Sequence, residues 1–126
     1  MSLNIVRVYG DEAGETHFGQ IAMPAESGPG GVGSVAIPST RVMYLEYPED
    51  RAEVTPGFHA MTHLVICLRG GFEVTTTTGD SRKIGPGDWF FSDDLGSKGH
   101  VTKAVGSVRR VNLVIGLPDG WQFPGT

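Results

Sequence analysis

The chain has 126 residues, and its ten basic and fourteen acidic side chains give a formal net charge of −4. This length suits one domain, and the negative balance is the opposite of the clustered positive charge found on nucleic-acid-binding surfaces. The hydrophobic content of 39% excludes a disordered chain, and no apolar run approaches the roughly 18 residues that a membrane span needs. With one cysteine and no secretory leader pattern, we expect a cytoplasmic protein without internal disulfides.

Glycine and proline determine the structural class. Nineteen Gly and eight Pro make up about a fifth of the chain, and the longest segment free of both, residues 58–69, has twelve residues. Helices average about 11–12 residues and disfavour both residue types in their interior. The short segments between these residues are rich in β-branched and aromatic side chains, which is typical of strands. The sequence therefore predicts an all-β domain with little or no helix.

Residues 1–40 are predicted to hold N-terminal strands and a Gly- and Pro-rich arm of the same domain. Strands are expected at residues 3–8 and 17–22, and residues 24–34 are interpreted as a loop or an arm lying over the surface. Within this arm, residues 28–33 match the dinucleotide-binding pattern G-x-G-x-x-G. Phosphate binding by that pattern needs a preceding strand and a following helix N-terminus, and the sequence indicates neither. We therefore interpret the segment as a loop.

Residues 41–126 are predicted to form the main β-structure of a single domain. The predicted strands are residues 41–47, 63–68, 72–78, 81–84, 89–92, 100–105 and 108–115. The segment between residues 48 and 57 is interpreted as turns, and the C-terminal tail is expected to pack through Trp121 and Phe123. Seven to nine short strands with closely spaced turns suit a two-sheet sandwich or a closed or double-sheet barrel. The pattern alone does not choose between these architectures.

Three of the four histidines lie beside predicted strands. His59 lies on the approach to the strand at residues 63–68, His63 is the first residue of that strand, and His100 begins a later one. If His63 points inward, alternation places Cys67 on the same face, where it is expected to be buried and to act as an apolar core side chain. If His100 points inward, Thr102 shares its face. The alternative is that each histidine is an ordinary surface or hydrogen-bonded residue.

Two segments of the chain resemble the sequence motifs of the cupin superfamily. Residues 56–71, PGFHAMTHLVICLRGG, are similar to the first motif, and residues 85–100, GPGDWFFSDDLGSKGH, are similar to the second. The resemblance covers about residues 41–115 and is strongest to small single-domain bacterial cupins. It implies a small antiparallel jelly-roll β-barrel formed by residues 41–126, often a homodimer, with a metal ion held inside by histidines.

The resemblance also implies which residues bind the metal. Counted back from Gly70, His63 stands where the family has a glutamate ligand, His59 stands at a histidine position, and Gly57 replaces the other histidine. His100 matches the histidine of the second motif. Neutral imidazoles bind divalent transition metals, and three protein ligands leave positions open for water or substrate. We therefore expect one divalent ion, without distinguishing Fe, Zn, Ni, Mn and Cu, and an anionic chelating substrate.

The implied function is that of a small-molecule enzyme with its ligand or substrate inside the barrel. Dioxygenase, isomerase or cyclase, and lyase chemistry all occur on this fold, and fold does not fix function. Cupins with all-histidine sites include those that resemble cysteine and diketone dioxygenases. The alternative is a non-catalytic small-molecule-binding or sensing protein without a functional metal, because the same loss of ligands occurs in cupins that bind none.

Other polar residues are weaker candidates. Tyr44 and Glu46 share one face of a predicted strand and could supply a general base or a partner for a histidine, although we favour a solvent-facing position. Asp93 and Asp94 are interpreted as a solvated turn in preference to carboxylates at the rim of a site. His17 lies outside both motifs and is interpreted as a surface or dimer-contact residue.

Overall fold

A computed structural model describes residues 4–23, 25–47, 52–55 and 62–124, with only the backbone given for residues 52–55. Within these ranges the chain forms twelve strands and no helix, which confirms the all-β class. The described residues accordingly contain no helix that is long and apolar enough to cross a membrane. The strands are β1 (Asn4–Gly10), β2 (Thr16–Ala22), β3 (Ala25–Gly28), β4 (Gly31–Ser34), β5 (Arg41–Glu46), β6 (Ala52–Thr55), β7 (Thr62–Arg69), β8 (Phe72–Thr75), β9 (Ser81–Ile84), β10 (Trp89–Asp93), β11 (His100–Ala104) and β12 (Val111–Leu117).

Two sheets make up the body of the fold. One has six strands in the order β2-β1-β10-β7-β12-β5, and the other has four in the order β6-β11-β8-β9. Neighbouring strands are antiparallel except for β1 and β10, which are parallel with Ile5 opposite Trp89. The antiparallel arrangement expected from the sequence therefore holds for every neighbouring pair of these two sheets except this one. Parallel neighbours need a long connection, and here most of the chain lies between the two strands.

The inner faces of the two sheets share one apolar cluster. Alternation along β7 turns Val65 and Cys67 to this side. The buried members of the cluster are Val8, Val65, Cys67, Phe90 and Val114 from the six-stranded sheet, with Phe72, Val74 and Ile84 from the four-stranded sheet. Cys67 is fully buried, and this burial raises the pKa of its thiol. The expected role of Cys67 as an apolar core side chain is confirmed.

The C-terminal tail covers part of the opposite face of the six-stranded sheet. Phe123 packs edge-on against Phe91 with ring centroids 5.2 Å apart, and Trp121 packs edge-on against Phe123. A second apolar cluster forms there, with the buried residues Ile5, Ile21, Met23, Leu64, Phe91, Leu117 and Phe123. The predicted packing of the tail is confirmed. Because β7 and β10 are covered on both faces, their sequences are nearly continuous apolar runs without alternation.

Two segments interpreted as loops contain strands. Residues 25–34 form the hairpin β3–β4, a separate two-stranded sheet in which Gly28 is paired with Gly31. Residues 25–33 are all exposed, so backbone hydrogen bonds hold this hairpin and side-chain packing does not. Strand β6 lies in the segment interpreted as turns and pairs with β11. The absence of a helix after residues 28–33 agrees with the rejection of the dinucleotide pattern.

Candidate functional site

A cavity of about 60 Å³ lies between the two sheets beside the shared apolar cluster. His63 at the start of β7 and His100 at the start of β11 both line it, so two predicted ligands from different sheets face one space. The wall is partly apolar, with Val65, Phe72 and Phe90. Its polar part consists of the two histidines with Tyr47, Thr102, Arg110 and Asn112. Thr102 shares the face of His100, as alternation predicted.

A buried carboxylate holds His100 in place. Nδ1 of His100 lies 2.6 Å from Oδ2 of Asp94, whose other oxygen accepts a hydrogen bond of 2.9 Å from the Ser92 hydroxyl. His100 and Asp94 are each 4% exposed, and the ring of Phe90 contacts the imidazole edge-on. These contacts fix the orientation of the ring. They leave Nε2 as the nitrogen that is available to a ligand in the cavity.

Asp94 stays ionised inside the protein. Burial alone raises the pKa of Asp94, but the hydrogen bond and charge of His100, together with the hydrogen bond from Ser92, outweigh burial and lower it below its ordinary value. The expectation of a solvated turn is therefore wrong for Asp94. The turn after β10 folds back, with the Ser97 amide donating to the Asp94 carbonyl at 3.1 Å, and this carries the side chain under the start of β11.

His63 reaches the same cavity from the six-stranded sheet. The register places His63 opposite Ser92 on β10 and opposite Gly116 on β12. Directly opposite residues share a sheet face, with Cβ atoms about 4.5–5.5 Å apart. Ser92 therefore lies between His63 and the Asp94–His100 pair. Gly116, the residue opposite His63 on β12, has no side chain.

Arg110 brings a permanent positive charge to the cavity. It is 2% exposed, and its guanidinium carbon lies 3.6 Å from the ring centroid of Tyr47 and 5.4 Å from that of Phe72. The Tyr47 amide donates to the Arg110 carbonyl at 3.0 Å, which fixes the backbone just before β12. Sequence reasoning missed Arg110 because two adjacent arginines, here Arg109 and Arg110 within the strand predicted at residues 108–115, usually indicate exposure to solvent.

His59 lies outside the described residues. Strand β6 ends at Thr55, opposite His100, and β7 begins at Thr62, next to His63. Each of these two strand ends is therefore next to a histidine of the cavity wall. Among the side chains that the structure describes, no group of three His, Cys, Asp or Glu residues could hold a metal ion.

The weaker candidates Tyr44 and Glu46 lie on the exposed face of β5. Tyr44 is 62% exposed, and a carboxylate oxygen of Glu46 lies 3.8 Å from Nη1 of Arg109 at the surface. Their neighbours Met43 and Leu45 pack against the shared apolar cluster. The solvent-facing position favoured from the sequence is the one that the structure shows.

His17 lies near the surface, Asp93 is the partly buried last residue of β10, and neither belongs to the cavity wall. Nε2 of His17 lies 2.7 Å from Oδ2 of Asp11, and this hydrogen bond lowers the pKa of the Asp11 carboxyl. Asp93 accepts hydrogen bonds from Nε of Arg7 at 3.0 Å and from Gln122 at 2.9 Å. The surface position expected for His17 is confirmed.

Comparison with known proteins adds no functional assignment. The chain matches no protein-family model, and no curated protein matches its sequence. The functional interpretation therefore depends on the residues of the cavity and on the two motif resemblances.

Proposed function

We propose that this chain is a small jelly-roll protein of the cupin type that holds one divalent metal ion and a small molecule in its cavity. The metal ligands are His63 and His100 together with His59. One observation carries the proposal: His63 and His100, from strands of different sheets, line the same cavity, and Asp94 holds the second ring nitrogen of His100.

The pairing of His100 with Asp94 fits a metal-binding histidine. A histidine that binds a metal almost always donates its other ring N–H to a carboxylate, a carbonyl or water, which fixes the tautomer and orients the free nitrogen. The Asp94 carboxylate is ionised and its Oδ2 lies 2.6 Å from Nδ1 of His100, so it can accept the hydrogen bond from that N–H. Burying a carboxylate is costly, and the N–H of a neutral histidine in the core needs only a neutral acceptor such as a backbone carbonyl, so a charged partner favours a role beyond packing.

The chain can bring His59 to the same cavity. His59 is four residues from Thr55 and three from Thr62, the two strand ends beside the cavity. An extended chain spans at most about 3.3–3.6 Å per residue, so segments of four and three residues reach at most roughly 14 and 11 Å. The cupin resemblance independently assigns a histidine ligand to this position.

The chemistry follows from the residues around the site. A divalent ion supplies a Lewis acid or an oxygen-binding centre when it is bound. Asp94 keeps the proton on Nδ1 of His100, and Val65, Phe72 and Phe90 restrict water on the apolar wall. Oxygenase, isomerase or cyclase, and lyase reactions are all open to such a site. The resemblance also supports a homodimer, which light scattering of the purified protein measures.

The test is elemental analysis of protein purified without an affinity tag or chelator. We expect about one Fe, Ni, Zn, Mn or Cu per chain in the wild type. The variants His59→Ala, His63→Ala and His100→Ala should each lose most of that metal. His17→Ala is the matched control, because it removes a surface histidine that is bonded to Asp11, and it should keep the wild-type content.

Two results would overturn the metal site. One is equal metal content in His63→Ala and His17→Ala, with circular dichroism showing that both variants are folded. The other is a wild-type protein that stays empty after reconstitution with each ion. Either result favours the alternative of a metal-free binding or sensing protein, which a ligand stabilises against heat without forming product.

A further inference from the structure

The residue before His100 is held by the first residue of β2. The hydroxyl of Thr16 donates a hydrogen bond of 2.9 Å to the carbonyl of Gly99, and Thr16 is fully buried. A peptide unit is planar, so the Gly99 carbonyl lies in one plane with the amide nitrogen and the Cα of His100. Holding that carbonyl therefore holds the piece of backbone from which the imidazole projects.

Gly99 is the point at which this backbone needs a restraint. It has φ of 83°, and a residue without Cβ has a wide range of φ open to it. Its amide donates to the Ser97 hydroxyl at 3.0 Å, and that hydroxyl donates to the Asp94 carbonyl at 2.6 Å. These two bonds tie Gly99 to the turn that carries Asp94. The bond to Thr16 ties it to the six-stranded sheet.

Thr77 fixes the direction of the Thr16 hydroxyl. The amide of Thr77 donates to Oγ1 of Thr16 at 2.9 Å, and the amide of Thr16 donates to Oγ1 of Thr77 at 2.7 Å. A hydroxyl has one proton to donate. Oγ1 of Thr16 therefore accepts from the Thr77 amide and gives its proton to the Gly99 carbonyl.

Two neighbouring contacts bring the same segments together. The Gly14 carbonyl accepts a hydrogen bond of 2.8 Å from the Lys98 amide, and the Glu15 carboxylate accepts one from Nζ of Lys98. Residues 14–16 therefore bind residues 98–99 through three consecutive residues. Thr16 is the buried member of the three, and its partner is the residue that directly precedes His100.

We propose that Thr16 is a positioning residue for His100. By holding the Gly99 carbonyl, Thr16 keeps the imidazole where Nδ1 meets Asp94 and Nε2 is left for a ligand. The effect on metal binding rests on the proposed function, whereas the bond between Nδ1 and Asp94 forms without a metal. Thr16 lies outside both cupin-like motifs, so the resemblance assigns it no role.

The first test compares Thr16→Val with Thr76→Val by competition between the protein and a chromogenic chelator for Zn²⁺. Valine keeps the shape of threonine and removes the hydroxyl. Thr76 is the matched control, because it is buried and its hydroxyl bonds to Thr78 and to the Asp80 carbonyl within its own turn. Both variants should be less stable, but only Thr16→Val should bind Zn²⁺ about tenfold more weakly, because the buried Gly99 carbonyl loses its donor. Thr16→Ser restores the hydroxyl and should bind Zn²⁺ within about threefold of the wild type.

The second test needs no metal. NMR measures how fast the Nδ1–H proton of His100 exchanges with water in metal-free protein. Exchange should be about tenfold faster in Thr16→Val than in Thr76→Val, because the imidazole leaves Asp94 more often. If Thr16→Val does not fold, Thr16→Ala is compared with Thr76→Ala, since alanine leaves room for a water molecule to satisfy the Gly99 carbonyl without fixing its position.

Three results would overturn the role of Thr16. The first is equal Nδ1–H exchange in the Thr16 and Thr76 variants, or a wild type in which this proton exchanges freely. The second is equal Zn²⁺ affinity of the two variants when the wild type binds the ion. The third is a Thr16→Ser variant that behaves like Thr16→Val. The metal proposal fails separately, on metal content, and in a protein that takes up no metal the exchange rates alone decide whether Thr16 positions His100.

Discussion

Replacing Asp94 with Asn should weaken both the fold and the proposed metal site, because this carboxylate joins a buried histidine to the sheet. Asp94 accepts hydrogen bonds from His100 and Ser92 and is 4% exposed. Asparagine has one acceptor oxygen and no charge, so it can serve one of the two donors. A hydrogen bond to a charged group contributes about 1.5–3 kcal/mol, and we expect a loss of this size.

The loss can be measured as a change in melting temperature. An unfolding entropy of about 2.1 cal/mol/K per residue amounts to about 0.26 kcal/mol/K for 126 residues. The melting temperature of Asp94→Asn should therefore fall by about 6–11 °C. Metal affinity, measured by competition with a chromogenic chelator, should fall by about 10–100-fold, as it does when the partner of a ligating histidine is removed.

Asp93→Asn separates these two effects. Asp93 precedes Asp94 in the chain but accepts hydrogen bonds from Arg7 and Gln122, outside the cavity wall. Its replacement should lower the melting temperature without changing metal affinity. The reasoning is refuted if the two variants lose metal affinity equally, or if Asp94→Asn melts within about 2 °C of the wild type.

Three further predictions concern the fold. At Gly70, with φ of 72°, a Cβ would lie 2.8 Å from the carbonyl oxygen of residue 108, whereas a Cβ at Gly79, with φ of 91°, would meet open space. Replacement with Ala should therefore lower the free energy of unfolding in urea by about 1–2 kcal/mol at Gly79 and by more at Gly70. Equal losses at the two positions would contradict this. Phe123→Ala should cost about 3–5 kcal/mol in the same assay, and a cost below about 1 kcal/mol would show that the tail adds little to the core. The hydrogen bond from Lys98 lowers the pKa of Glu15 below its ordinary value of 4.5. The stabilisation that the Glu15 carboxylate supplies is therefore complete above pH 4.5. It is lost as the pH falls through the pKa of Glu15 in the folded protein. The stability difference between wild type and Glu15→Gln should shrink on acidification, and melting curves that differ equally at neutral and acid pH would contradict this.

Local sequence patterns predicted much of this fold. Strand alternation placed Cys67 in the core and Thr102 on the face of His100, and the aromatic residues of the tail indicated that it packs on the sheet. These features depend on neighbours within a few residues. For the same reason, the motif spacing was enough to select His63 and His100, which the structure brings to one cavity.

The parts that could not be predicted depend on partners distant in sequence. Asp94 is buried because the turn after β10 folds under β11, and nothing in residues 93–99 distinguishes this turn from a solvated one. Arg110 is buried because the rings of Tyr47 and Phe72 lie on its guanidinium; Tyr47 directly follows β5 of the six-stranded sheet, and Phe72 begins β8 of the four-stranded sheet. The hairpin β3–β4 has no apolar face, so no hydrophobic pattern could reveal it.

The order of strands in the six-stranded sheet constrains how the protein is made. Strand β12 lies between β7 and β5, and it begins at Val111, 65 residues after β5 ends at Glu46. A ribosome adds about 5–20 residues per second, so roughly 3–13 seconds pass between the synthesis of β5 and the synthesis of its neighbour β12. Unpaired strand edges promote aggregation, and the nascent chain is most vulnerable in this interval. The segment that ends this interval also carries Arg110 and Asn112, so the cavity between the two sheets gains the last of its described lining residues only as the six-stranded sheet closes.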